Sequence, residues 1–430
     1  MKKRLVQFVE KVHLKVFGHE MGDEMRSFLT RLSWSFLSGI GALPILMLIT
    51  TLAGRFMGPI EYGKYNLMLV ANQYLIIFIF LGLDTVLIRS IARDPSVKAR
   101  KRVISSISNI VFLVLVGLVV LSPIVYPFVS RIMSGGKSFF LMLICYTIVF
   151  SAKTLFDSSI RGLEEFKVQA KAKIFEVIIV AVLFIAVFFV LKDHTFAGFV
   201  SVLVAGAIAI SIYYLSYLKR YFGKSNFTDS LAVLREGKWF LISALLGTIF
   251  LSADKIIIAK YLGFTAFGIY SAYYFSSFTL IAQAGQLFNN VFFPATVRVK
   301  DKAFIKKIDK IFCIGFLPLF VLASCLTLIM LSIFGRQYPV SLFYVIGFSV
   351  LSVVFLFQSI YATIILDFSE QYYRKCLLTT YGVNFLAICL YIVAVRFSFF
   401  SVSLVIGTLI ANYCITIAIQ RFYIKKVMSE

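Results

Sequence analysis

The chain has 430 residues, 60% hydrophobic and 15% charged, with 43 Lys and Arg against 20 Asp and Glu for a formal net charge of +23. With a mean hydropathy of +0.93, this composition excludes an ordinary soluble domain. Six cysteines stand singly and three histidines lie outside the apolar runs, so no disulfide scaffold, buried metal site or histidine relay is expected.

Residues 1–30 come first, as an arm. Leu5, Phe8, Val9, Val12 and Val16 recur at helical spacing beside Lys2, Lys3, Arg4, Lys11 and Lys15, the pattern of an amphipathic helix lying on the cytoplasmic leaflet. A basic tail without structure is the alternative. No apolar core directly follows the basic start, so a cleavable signal peptide is not expected.

Apolar runs of roughly 18 or more residues then fill most of the chain. They lie near 33–54, 66–88, 103–130, 138–160, 173–191 and 196–218, and after a polar linker near 239–259, 269–293, 308–334, 341–366, 376–395 and 399–420. In lipid the backbone must satisfy its own hydrogen bonds, and runs this long favour helices over a barrel. The expected fold is an all-α polytopic membrane protein with twelve transmembrane helices.

The two sets of runs are copies. Trp34 and Trp239 stand 205 residues apart, and at the same offset Ser38 meets Ser243, Leu46 meets Leu251, Gly58 meets Gly263, Gly63 meets Gly268, Tyr65 meets Tyr270 and Arg93 meets Arg298. Arg55 and Lys260, Phe56 and Tyr261, and Tyr62 and Phe267 match in kind. A fixed offset held without gaps marks an internal duplication. Six runs per copy is an even number, so both halves sit the same way up, as parallel repeats around a central cavity. The organisation expected is an arm over 1–30, a six-helix bundle over 31–218, a cytoplasmic linker over 219–238 carrying Gly223, Ser225, Asn226 and Asp229, and a second bundle over 239–430.

Charge orients the bundle. With the N-terminus cytoplasmic, 33 Lys and Arg fall on that side, 8 on the other (Arg55, Lys64, Arg131, Lys137, Lys192, Lys260, Arg336, Arg396), and Lys153 and Lys255 lie within runs. This is the positive-inside pattern of a multi-pass inner-membrane protein with both termini cytoplasmic. The net charge is therefore a topology and anionic-lipid signal, not one for nucleic acid.

Charges inside hydrocarbon are costly and point to function. Lys153, Asp157 and Arg161 follow at intervals of four and share one helical face; a polar stripe on the cavity is one reading, snorkelling of Lys153 with Asp157 as its partner the other. Asp254 and Lys255 sit deep in the seventh run, pointing about 100° apart. Asp84 and Arg89 read as a local pair. Counted within the runs, Lys153 and Lys255 stand against Asp84, Asp157 and Asp254, and the boundary residues Arg31, Arg89 and Arg161 tip the balance to positive. A cationic vestibule suits a diphosphate. Gly41 and Pro44 are candidates for a hinge in the first run. No nucleotide-binding loop occurs, no cofactor is implied, and no acidic pair for acid–base work stands on the far side.

Leu52 to Tyr65 (LAGRFMGPIEYGKY), leading to Leu81 to Arg89 (LGLDTVLIR), resembles the opening of the polysaccharide-biosynthesis flippases, the Wzx-type members of the multidrug/oligosaccharidyl-lipid/polysaccharide exporter (MOP) superfamily. Ser252 to Gly263 (SADKIIIAKYLG), with Phe267 to Tyr270 (FGIY), resembles that family's second-half opening. The resemblance implies translocation of an undecaprenyl-diphosphate-linked oligosaccharide by alternating access, not an enzyme. It implies headgroup contacts from lumenal cations, here Arg31, Arg89, Lys153, Arg161 and Lys255, with Asp157 and Asp254 as candidates for ion coupling. A polysaccharide polymerase and glycosyltransferases would be its partners, beside membrane lipid. The alternatives are a cation-coupled multidrug antiporter of the same superfamily, which would normally want a carboxylate that the first run lacks, and a membrane polysaccharide polymerase or ligase.

Overall fold

A computed structural model describes residues 23–94, 96–133, 136–223, 227–283, 285, 302–368 and 370–427, and among them every regular element is helical. The first half holds α1 (Asp23–Phe80), α2 (Leu83–Arg93), α3 (Val97–Met133), α4 (Lys137–Gly162), α5 (Phe166–Ile185, prolonged by a π-helical turn Ala186–Val190) and α6 (Phe196–Leu218, closed by a 3-10 turn Lys219–Tyr221). The second half holds α7 (Phe227–Tyr261), α8 (Gly263–Tyr274, prolonged by a π-helical turn Phe275–Thr279), α9 (Lys302–Phe334), α10 (Leu342–Phe368), α11 (Glu370–Arg396) and α12 (Val402–Val427).

Among the described residues, 10 helical stretches are long and apolar enough to cross a membrane. The sequence reading counts twelve runs. The difference has two sources: Ala42–Phe80 is one continuous stretch holding both of the first two runs, and the eighth run is described only in part. The amphipathic arm lies outside the described residues up to position 22, and α1 begins at Asp23. The second part of the expected linker is helix, because α7 starts at Phe227.

α1 leaves helical geometry at Gly58 (φ 74°, ψ 173°), directly before Pro59, whereas the expected hinge at Gly41 and Pro44 lies within the helix. Proline keeps a helical φ and forfeits one hydrogen bond, while a left-handed φ needs a residue without a Cβ. Gly263, the copy of Gly58, also has a left-handed φ of 84° and opens α8. The duplication read from side chains is therefore present in the backbone.

Gly63 and Gly268 meet each other. A Cβ built on Gly63 would overlap the Phe264 carbonyl oxygen, and one on Gly268 would overlap the Pro59 carbonyl oxygen. Pro59 and Phe264 are themselves related by the repeat offset, so a pseudo-twofold axis runs between the two glycines. Around this seam, Tyr338 donates to the Gly54 carbonyl at 2.8 Å, and its ring and that of Phe334 pack on Tyr62.

Core distribution follows from this seam. One apolar core, with Tyr62, Tyr65, Phe199, Phe267, Tyr270, Phe334, Tyr338 and Phe348, draws on both halves. Toward the other end, the face of the linker, the cores separate. One is built around Leu83, Leu87, Ile104, Ile160 and Tyr214 of the first half, the other around Val353, Tyr361, Ile364, Cys376 and Ile424 of the second. The start of α7 belongs with the first half there, since Gly237 lies against Leu81 and Gly82. Among the described residues the halves thus share one core at the Gly58 face and hold separate cores toward the linker face, where α7 packs against Gly82.

Candidate functional site: polar clusters within the helices

In the first half, Lys153 on α4 forms an ion pair with Glu176 on α5, with side chains 22% and 12% exposed. The ammonium also lies 5.0 Å from the centroid of the Phe150 ring, which stacks on Tyr146 at 3.9 Å. One turn further along α4, the Asp157 carboxylate accepts from Gln169 of α5 at 2.9 Å and from Tyr214 of α6 at 3.0 Å, and Arg161 pairs with it at 3.4 Å. A charge in low dielectric requires such partners, and here three helices supply them.

In the second half, Asp254 on α7 is buried, its side chain 5% exposed. Tyr270 on α8 donates to it at 2.5 Å. Lys255 is 3.9 Å from the same carboxylate but donates to the Leu251 carbonyl of its own helix at 2.6 Å and lies over the Tyr274 ring at 4.5 Å. Tyr274, Tyr391 and Tyr413 all lie within electrostatic reach of Asp254. Tyr74 of α1 reaches toward this cluster, its hydroxyl 3.5 Å from the Thr248 carbonyl. Deeper toward the linker face, Asn412 donates to Asn384 at 2.6 Å, and Asp309 accepts from Tyr361 at 2.5 Å and Arg421 at 2.6 Å.

Lys153, Asp157 and Arg161 do share one stretch of α4, yet the partner of Lys153 is Glu176, not Asp157. Glu176 lies inside the fifth run as well, a fourth carboxylate beside Asp84, Asp157 and Asp254. Lys171 and Lys173 close by give Glu176 the look of a charged boundary in sequence, which hides it. Arg89 is exposed on α2 and makes no ion pair with Asp84. Arg31 lies on α1 with its side chain outside the described set. No group of three or more His, Cys, Asp or Glu that could hold a metal occurs among the described residues. Tyr214, Tyr270 and Gln169 escape a sequence reading because a hydroxyl or amide carries no charge to mark it. The one signal available was that Tyr270 repeats Tyr65.

Residues 28–300 match the sequence profile of the family described as polysaccharide biosynthesis protein. No curated protein matches the chain. Several solved structures share its fold. They include a MOP superfamily transporter from Pyrococcus furiosus (16% identity, 95% of this chain and 96% of that one, TM-score 0.56) and a MATE point mutant (15%, 95% and 98%, 0.56). An inward-facing multidrug resistance MATE family transporter is similar as well (14%, 88% and 94%, 0.54).

Proposed function

From the premise that the chain belongs to the polysaccharide biosynthesis protein family and has the MOP transporter fold, we propose that it is a flippase. Its cargo is an undecaprenyl-diphosphate-linked oligosaccharide, moved from the cytoplasmic to the outer leaflet of the inner membrane, with both termini cytoplasmic. The family match carries this reading. The two separate cores toward the linker face among the described residues support it, because halves joined by one core at a single face suit alternating access.

The ion pairs define what the cargo must do. Lys153 is held by Glu176 and Arg161 by Asp157, so a diphosphate competes with these carboxylates for them. A diphosphate offers more acceptor oxygens than a carboxylate, so the exchange is favourable when the displaced acid takes up a proton or another partner. Glu176 therefore joins Asp157 and Asp254 as a residue through which an ion gradient couples to transport. Lys255 and the exposed Arg89 complete the headgroup contacts. A polymerase and glycosyltransferases act on the same lipid-linked glycan before and after it.

The test is flipping of a fluorescent lipid-linked saccharide in vesicles holding the purified protein. Transport of that lipid, lost in Lys153→Ala, is the expected outcome; a protein that leaves it in place is not a flippase. The antiporter reading rests on one observation, the buried Asp254 held by Tyr270. Gradient-driven efflux of a cationic dye from the same vesicles, without lipid flipping, would establish it instead.

A further inference from the structure

At the Gly58 face a cavity of about 800 Å³ opens on the seam between the halves, lined by Arg55 of α1 and by residues 331, 332 and 334–340, where α9 turns into α10. The first half contributes Arg55. Its stem lies beside Gly335, which has a left-handed φ of 92°, and its guanidinium is 3.5 Å from the Ile333 carbonyl. The second half contributes Arg336 and Gln337, both exposed; the amide oxygen of Gln337 sits against Gly58.

Neither arginine forms an ion pair among the described residues, and no acidic residue lines the cavity. The described carboxylates of this face are engaged elsewhere. Glu61 takes Lys64 and the amide of Phe196, and Asp193 takes the amide and hydroxyl of Thr195. Two guanidiniums at one cavity repel each other, and each presents five N–H donors in a planar fork that matches phosphate oxygens.

We propose that the seam cavity bearing Arg55 and Arg336 is an anion site for a phosphate group, and that it exists only while the Gly58 face is closed. Its walls come from different halves, so parting the halves at the Gly63–Gly268 contact removes Arg55 from Arg336. An anion held there therefore favours the closed face, by the reciprocity of linked equilibria. The phosphate comes either from a membrane lipid or from a soluble or cargo diphosphate; the chemistry recognised is the same.

The experiment titrates the full-length protein in detergent with inorganic pyrophosphate and follows thermal unfolding, which a ligand of the folded state shifts upward. A saturable rise is expected for the wild type, with apparent affinity about tenfold weaker in Arg336→Gln and Arg55→Gln. Lys137→Gln removes a cation of the same face away from the seam and should bind as the wild type does. Gly63→Ala keeps both arginines but parts the seam and should also lose binding. Should it fail to fold, Gly268→Ala, the other glycine of the seam and outside the cavity lining, decides the point. Nanodiscs identify the source. Pyrophosphate binding lost in phosphatidylglycerol but kept in phosphatidylcholine assigns the site to lipid phosphate; binding in both assigns it to a soluble or cargo phosphate. No shift in the wild type, or an equal one in Arg336→Gln, overturns the site. Undiminished binding in the folded seam variants overturns its dependence on closure. The readout is binding alone, so it stands or falls independently of lipid flipping.

Discussion

The two copies use the same backbone positions for different chemistry. In the first half, Thr50 donates to the Leu46 carbonyl at 2.8 Å; at the equivalent place in the second, Lys255 donates to the Leu251 carbonyl at 2.6 Å. One residue earlier, buried Ile49 stands where buried Asp254 stands. Tyr65 packs its ring on Phe199, while its copy Tyr270 donates to Asp254. The scaffold residues, by contrast, are unchanged: Gly58 and Gly263 share a left-handed φ, and Gly63 and Gly268 touch. Duplication thus conserved how the halves pack against each other and left the interior of each half free to acquire its own charges. In the first half these lie on α4 and α5, in the second on α7 and, toward the linker face, on α9 and α12.

The largest test of that asymmetry is Lys153→Ala. It leaves the half-buried Glu176 without its partner, and with side chains 22% and 12% exposed the loss should stay below the roughly 3–5 kcal/mol of a fully buried pair. Thermal unfolding should show it, and Glu176→Gln added to Lys153→Ala should recover most of the stability. Equal stability of the single and double variants would mean that the first half's charges are solvated, and the contrast with the second half would disappear.

Next come the seam glycines, where the halves are alike. Gly63→Ala and Gly268→Ala each drive a methyl into a backbone carbonyl, so each should destabilise the closed face by about 1–3 kcal/mol, the range for overpacking. Symmetry requires the two effects to be similar. Cysteine pairs placed across the seam should cross-link less in both variants, and a large difference between them would break the pseudo-twofold relation.

These two tests fall on opposite sides of what the sequence makes legible. The repeat offset, the apolar runs and the sites of the special glycines can be read directly, because helix length in a membrane and left-handed φ are local demands. The stripe Lys153, Asp157 and Arg161 is legible for the same reason, as a spacing along one helix. The identity of a charge's partner is not local. Glu176 lies 23 residues from Lys153 and comes beside it only because α4 and α5 pack together; Tyr270 reaches Asp254 because the chain reverses at Gly263. The count along the runs comes out near balance and only the boundary arginines tip it to positive; the packed helices pair Lys153 with Glu176 and Arg161 with Asp157.

A smaller effect is expected on α7. Asp254→Asn keeps an acceptor for the Tyr270 hydroxyl, so the cost is that of weakening one charge-assisted bond, about 1–2 kcal/mol. Transport should persist but lose its dependence on a proton or sodium gradient. The double variant Asp254→Ile with Lys255→Thr rewrites the second half as the first. Folded protein with ungated flipping would sharpen the comparison; retained gradient dependence would remove Asp254 from the coupling.

Arg161→Gln should do least to stability. Its side chain is 45% exposed and its pairing with Asp157 is an i,i+4 contact at 3.4 Å, an arrangement worth no more than about 0.5 kcal/mol. Asp157 keeps Tyr214 and Gln169 as donors, so it is not left as an isolated charge. Unfolding should therefore be nearly unchanged. Transport supplies the discriminating measurement. An arginine that meets the diphosphate loses a bidentate contact in Arg161→Gln, and the apparent affinity for the lipid-linked saccharide should fall while the maximal rate is preserved; Arg161→Lys should restore only part of it, since a lysine replaces a planar fork with a point charge. Unaltered affinity in Arg161→Gln would reduce this end of the stripe to a snorkelling residue and leave Lys153 as the cation of the first half that the cargo meets.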